Sequence, residues 1–96
     1  SSQASLNFIK SIQRFSYFND IKQLNLENKT QIGIMINDID VKFGDLNNID
    51  YKLKSLDKIL NDVNSKSLDI TEIDLNNGND PVVKVNPESF SENLNY

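Results

Sequence analysis

Two runs of alternating apolar residues, separated by a two-residue polar step, constrain this chain more than any other feature. Isoleucine occupies every second position of residues 32–36, and the alternation resumes after Asn37-Asp38 through residues 39–43. A period of two places the apolar side chains on one face of a strand. Asn and Asp tolerate the positive φ that a two-residue turn requires. The sequence therefore predicts a β-hairpin with one buried face.

The segment before this hairpin extends it into a meander. The period changes at Ile21: Leu24 and Leu26 alternate with polar residues, and the polar residues 27–30 supply turn chemistry. Gly44 ends the third strand, at a point where a side chain is not expected to fit. These residues predict a three-stranded antiparallel meander.

Apolar residues recur at helical spacing on both sides of the meander. From Leu6 to Phe15 they recur every three residues, which predicts an amphipathic helix over roughly residues 1–17. In residues 49–63 they recur at steps of four and three, which predicts a second helix of about four turns. Asn47 is the expected N-cap of this helix, since its side chain can accept from the backbone N–H of Asp50.

The parity of the apolar residues changes after the second helix. Leu68 and Ile70 share one parity, whereas Ile73 and Leu75 share the other. Either the chain bulges near Thr71 or the strand begins only there.

A last short strand is predicted over residues 81–85. It follows the turn-rich segment 76–80, and its first residue, Pro81, has no N–H to donate to a neighbouring strand. Proline is therefore typical of a strand at the edge of a sheet.

Together these elements predict an α+β fold: an antiparallel sheet, made of the meander plus one or two C-terminal strands, packed with two helices in the order α-β-β-β-α-β-β. We expect residues 1–85 to form one domain and residues 86–96 to form a flexible C-terminal tail. The chain starts at Ser1 and its only methionine is Met35. We therefore expect a soluble domain excised from a longer protein, with Ser1 and Ser2 left from cloning.

The composition of the chain excludes most kinds of enzyme active site. The chain has no Cys and no His, which excludes thiolate nucleophiles, Ser-His triads and zinc sites with thiolate or imidazole ligands. Its three glycines are far apart, so no phosphate-binding loop exists. We predict no catalytic residue, no metal and no cofactor. A formal net charge of -4 with scattered basic residues argues against nucleic acid as a partner.

Carboxylates remain the only acid–base candidates. They form a pair around the hairpin turn and a group near the start of the next strand: Asp38 and Asp40, then Asp69, Glu72 and Asp74. A hydrolase needs two carboxylates facing each other across a cleft, one with a pKa raised by burial. All five lie in polar local sequence, which disfavours that arrangement.

The final strand is the feature most suggestive of binding. An exposed edge presents unpaired N–H and C=O groups, to which another chain can add a strand. The alternative is that Pro81 and Lys84 only protect the edge against aggregation. The pattern does not decide between these two interpretations.

A series of short motifs follows from residue 41 onward, over about 45 residues, nearly half of the chain. Its positions are Val41, Phe43 and Gly44; Lys52-Leu53, Leu56 and Ile59-Leu60; Ile73-Asp74-Leu75; and Val82-Val83. In the order and spacing of these motifs the sequence resembles the C-terminal part of the extracytoplasmic β domain of the bacterial cell-division family DivIB/FtsQ.

The resemblance implies a non-enzymatic scaffold that binds DivIC/FtsB-like and FtsL-like partners. The parent would be anchored by one membrane helix absent from this chain, and would work on the extracytoplasmic face at the division septum. In relatives the last strand receives a strand from the FtsB-like partner. The corresponding residues here are Asn76, Asn77, Asp80, Pro81, Val82, Val83, Lys84 and Val85. Some relatives carry a basic and an aromatic residue where this chain has Asn76 and Asn77.

Two other functions compete with this interpretation. One is a regulatory domain of ferredoxin-like layout that binds a small ligand between sheet and helix, for which a polar-lined pocket is required. The other is a carbohydrate hydrolase that would use Asp69, Glu72 and Asp74.

Overall fold

The computed structural model of the chain describes residues 2–88. Its elements in chain order are α1 (Ser2–Ile12), a 3-10 helix (Ser16–Asp20), β1 (Ile21–Asn25), β2 (Ile32–Ile36), β3 (Ile39–Gly44), α2 (Ile49–Ser65), β4 (Ile70–Asp74) and β5 (Val82–Val85). The predicted α+β class and the order α-β-β-β-α-β-β are confirmed. Residues 89–96, most of the predicted tail, lie outside the described residues.

The predicted meander forms the first three strands of the sheet. β1 pairs with β2 and β2 with β3, both antiparallel. Ile36 pairs with Ile39 across the two-residue turn, in which Asn37 has a φ of 52°. The three isoleucines of β2 are buried, as are Val41 and Phe43. The hairpin prediction is thus confirmed, together with its buried face.

The fourth strand makes the sheet mixed. The strand order is β1-β2-β3-β4-β5, and β4 runs parallel to β3, with Val41 opposite Ile73. The sequence predicted antiparallel pairing for the whole sheet. The other three pairs are antiparallel, and the β3–β4 pair is the exception. The exception arises because α2, with 17 residues, spans about 25 Å and returns the chain to the level where β3 begins.

A bulge in β4 explains the change of parity in the sequence. The register between β4 and β5 shifts between Ile70 and Glu72, while β5 itself continues without a break. The extra residue, Thr71, allows Ile70 and Ile73 both to point into the core. Of the two possibilities left open by the sequence, the structure contains the bulge.

The helices cover one face of the sheet. Phe8 and Ile12 of α1 and Leu53 and Leu56 of α2 are buried, and the rings of Phe8 and Phe43 meet edge to face at 5.0 Å between centroids. Residues of the opposite parity, including Asp40, Lys42 and Lys84, are exposed. Residues 2–88 therefore form two layers, and within this range the second face of the sheet is open and largely polar.

The first helix is shorter than its periodicity predicts. α1 ends at Ile12, and Tyr17 enters the core from the 3-10 helix that follows. A continuous helix would point Tyr17 about 140° away from Ile12, so the core contact requires the helix to end first. The Tyr17 hydroxyl donates a 3.0 Å hydrogen bond to the backbone carbonyl of Leu53 and so ties this segment to α2.

The predicted N-cap of α2 was wrong by one residue. Asn48, with a φ of 56°, precedes the helix, and its carbonyl accepts the N–H of Lys52. Asn47 belongs to the preceding turn, where its backbone N–H and its side-chain amide both donate to the Asp45 carboxylate. Because Asn47 is hydrogen-bonded to Asp45, Asn47 does not cap α2.

Candidate functional site: the free edge of β5

The residues predicted to bind a partner lie together at one edge of the sheet. Val82–Val85 form β5, which is last in the strand order. Pro81 precedes it, and Asn76, Asn77 and Asp80 belong to the connection from β4. Among the described residues β5 has a strand neighbour on the β4 side alone.

The connection between β4 and β5 is held by three polar contacts. The Asn76 N–H donates to the Asp74 carboxylate at 2.8 Å, and the Asp80 N–H donates to the Asn77 carbonyl at 3.1 Å. The Tyr51 hydroxyl of α2 donates to the Asn79 carbonyl, also at 3.1 Å. These contacts fix the start of β5 relative to the helix layer.

Two further contacts fix which backbone groups of β5 are free. The Asn86 N–H donates to the Asp69 carbonyl at 2.8 Å, and the Lys84 carbonyl accepts the Thr71 hydroxyl at 3.4 Å. Both groups therefore point toward β4. N–H and C=O groups of alternate residues in a strand point to the same side, so those of Val83 and Val85 point away from the sheet.

The side chains of β5 differ between the two faces. Val83 and Val85 are half-buried and pack against the margin of the core. Val82, 41% exposed, and Lys84 lie on the open face. A strand added at this edge would cover Val83 and Val85 with its own apolar side chains and leave its polar ones on the open face.

A carboxylate on β4 is held between lysines on both neighbouring strands. Glu72, with its side chain 15% exposed, lies 3.2 Å from Lys84 and 3.3 Å from Lys42. The hydrogen bond from Lys84, followed by the interactions with Lys42, lowers the pKa of Glu72. This row of charges fixes Lys84 over the open face, beside the free edge and not across it.

The opposite edge of the sheet is less regular. β1 pairs only with β2 among the described strands, and its register shifts between Ile21 and Gln23. The intervening residue, Lys22, is exposed. A bulge and a lysine are features that discourage strand pairing, so β5 offers the better template.

Of the five carboxylates considered as acid–base candidates, Asp38 and Asp40 are exposed, and the other three make polar contacts within the fold. Asp69 accepts from the Asn86 side chain, Glu72 pairs with two lysines, and Asp74 accepts from the Asn76 N–H. Within residues 2–88 no group of three or more His, Cys, Asp or Glu side chains is arranged to hold a metal ion. In the same range no helix is long and apolar enough to cross a membrane.

Sequence reasoning identified the edge strand but missed the contacts that orient it. Tyr51 and Asn79 are 28 residues apart, and Thr71 and Lys84 are 13 apart. No local pattern signals such pairs, because they exist only after α2 and the bulge have positioned their partners.

Comparisons with protein-family models, with curated proteins and with solved structures returned no match to this chain. What the β5 edge can bind therefore follows from its own geometry and chemistry.

Proposed function

We propose that this chain is an interaction domain that binds a partner protein by accepting a strand at the free edge of β5. The observation that best supports this proposal is that the backbone N–H and C=O groups of Val83 and Val85 point away from the sheet. The side chains of the same residues are half-buried, and an added strand would cover them. Main-chain hydrogen bonds would supply affinity, and the alternate side chains would supply selectivity.

The sequence resemblance supports a more specific form of this proposal. The domain is a DivIB/FtsQ-like β domain, its partners are DivIC/FtsB-like and FtsL-like proteins, and it acts as a non-enzymatic scaffold. Its parent is anchored in the bacterial membrane by a single helix and faces the extracytoplasmic side at the division septum. The glycine that ends β3 in the family pattern has a physical role here, since the Asn76 side chain occupies the space beside Gly44.

The direct test is an NMR titration of the labelled domain with a peptide from the membrane-distal part of the cognate DivIC-like protein. We expect chemical-shift changes centred on Val82–Val85 and on the adjacent residues of β4. Changes confined to other elements would refute strand addition at β5.

A pair of proline variants tests the backbone geometry. Val83→Pro removes an outward N–H and should weaken peptide binding at least about tenfold, with little loss of stability, since proline is tolerated where the N–H faces solvent. Lys84→Pro removes an inward N–H and should destabilise the hairpin itself. Unchanged affinity of a folded Val83→Pro variant would contradict the proposal.

A further inference from the structure

A cleft lies at the end of the sheet where the β2–β3 turn meets the C-terminal half of α2. The 3-10 helix and the connection from α2 to β4 complete its walls, and its volume is about 430 Å³. That volume falls within the range of about 300–1,000 Å³ typical of small-molecule sites. None of its lining residues belongs to the β5 edge, so this feature is separate from the site proposed above.

The lining of the cleft carries negative charge and hydrogen-bond acceptors. Asp20 and Asp57 supply two carboxylates, and Asn61 and Asn64 supply amide oxygens, whereas no lysine or arginine is among the described lining residues. The last turn of α2 contains no basic residue, and the ammonium of the C-cap residue Lys66 is paired with Asp62 at 3.1 Å, so the carbonyl end of the helix adds partial negative charge. The potential in the cleft therefore favours a cation.

The floor of the cleft is apolar. Ile36 at the end of β2 is buried, and Ile39, Leu60 and Val63 around it are half-buried. A strongly hydrated ion gains nothing from such a surface, but a cation on an aliphatic chain can bury its methylene groups there.

Tyr17 forms a wall of the cleft that does not compete for the ligand. Its hydroxyl is already bonded to the Leu53 carbonyl. Burial, and then the charge of Asp57, raise the pKa of Tyr17, so the phenol stays neutral. The Asp57 carboxylate is therefore close enough to act on Tyr17, and it remains available for a cation.

We propose that this cleft binds a small aliphatic amine through its protonated ammonium group. An alkylammonium group has three N–H donors, and the lining of the cleft offers it acceptors in the carboxylates of Asp20 and Asp57 and in the amide oxygens of Asn61 and Asn64. A hard divalent cation held by two carboxylates keeps most of its water ligands, so it would leave the apolar floor uncovered, whereas an alkyl chain would cover it. The cleft is the polar-lined pocket between sheet and helix that the small-ligand alternative required.

The test is an NMR titration of the labelled domain with 1,5-diaminopentane at constant ionic strength. We expect saturable shifts confined to Asn37, Asn61, Asn64 and their neighbours. The uncharged 1,5-pentanediol should give no saturable shifts, because it lacks the ammonium groups, and ammonium chloride should give none, because it lacks the aliphatic chain. Equal shifts with the diol, or a non-saturating response spread over the acidic surface, would overturn the proposal.

Carboxylate variants locate the charge. Asp57→Asn and Asp20→Asn should each weaken diamine binding roughly three- to tenfold, and Asp20, being exposed, can be changed without disturbing the core. Asp40→Asn makes the same charge change on the open sheet face and should leave the affinity unchanged. An equal loss in Asp40→Asn would reduce the effect to net charge and refute the site.

A last comparison tests the source of the amine. Nα-acetyl-lysine amide carries the same alkylammonium group on a peptide backbone. Binding weaker than that of 1-aminopentane, which carries the same single charge, supports a free small molecule. Tighter binding at the same residues would assign the cleft to a lysine of a partner protein and overturn the small-molecule proposal.

Discussion

Gly44 and Gly33 lie on the same hairpin but differ in what an added side chain would meet. Gly44 has a φ of +84°, and an added Cβ would overlap the Asn76 side chain, including its Cβ. Gly44→Ala should therefore lower the free energy of unfolding by about 1–3 kcal/mol, since both the backbone and the contact become strained. The measurement is urea denaturation followed by circular dichroism.

Gly33→Ala is the matched control for this prediction. A Cβ at Gly33 meets nothing within 4 Å, and Gly33 does not have a positive φ, although the β2–β3 register shifts between Ile32 and Gly33. Stability should be unchanged, or raised by up to about 1 kcal/mol because alanine restricts the unfolded chain. Equal losses in the two variants would show that any Cβ in this hairpin is harmful, and that the contact with Asn76 is irrelevant.

The burial of Lys52 could not be predicted from the sequence. A lysine in a helix is normally exposed, yet Lys52 is 6% exposed. Its ammonium donates to the Asp45 carbonyl and carboxylate and lies 5.0 Å from the centre of the Phe43 ring. These contacts depend on the path of the loop before α2, which the sequence pattern misplaced when it assigned the cap to Asn47.

At the level of elements, the bridge from β3 to β5 through Glu72 should make stability pH-dependent. The pKa of Glu72 is lowered in the folded protein, chiefly by the Lys84 hydrogen bond. A lowered folded-state pKa means that the stabilisation is fully present above the unfolded-state pKa and is lost as the pH falls through the folded-state value. The carboxylate should therefore hold the three strands together at neutral pH and fail to do so in acid.

Comparison with Glu72→Gln tests this coupling. The difference in urea midpoint between wild type and variant should be largest at about pH 7 and should shrink as the pH falls through the lowered folded-state pKa of Glu72, below which both side chains are uncharged. Glu27→Gln, which changes an exposed carboxylate before β2, should show no comparable convergence. If the difference in urea midpoint between wild type and Glu72→Gln does not change with pH, the variant acts through packing and not through charge.

The elements themselves were predictable where one physical rule acted locally. Alternating isoleucines and the Asn37-Asp38 turn determine the β2–β3 hairpin, and Pro81 correctly indicated an edge strand. The end of α1 was not predictable, because it depends on Tyr17 reaching Leu53 from another segment. The bulge at Thr71 lies between these cases, since the change of parity signalled an irregularity without specifying which kind.

At the scale of the whole molecule, no local sequence pattern indicated that β3 and β4 pair in parallel. It arises from the length of α2 and from the side of β3 on which the chain returns. The outcome places the most buried strands at the centre of the sheet and leaves β5 at one edge, where its outward backbone groups have no strand partner within residues 2–88. The sequence therefore predicted the strand that forms the candidate site, but not which of its backbone groups point away from the sheet.

Hydrogen exchange of the free domain tests this arrangement as a whole. The amides of β2, β3 and β4 should exchange slowest, because each of these strands is paired on two sides and covered by the helices. Within β5 the amide of Lys84 should be protected, whereas those of Val83 and Val85 should exchange much faster, since only the former points toward β4. Addition of the DivIC-like peptide should then slow Val83 and Val85 selectively.

The measurement requires a dilution series, because edge-to-edge pairing of two copies would also protect Val83 and Val85. Rates that do not change on dilution, with strong alternation along β5, are the expected result. If Val83 is as protected as Lys84 at the lowest concentration, the edge is covered in the isolated domain. A covered edge could not accept a strand, because strand addition requires the N–H and C=O groups of Val83 and Val85 to be unpaired.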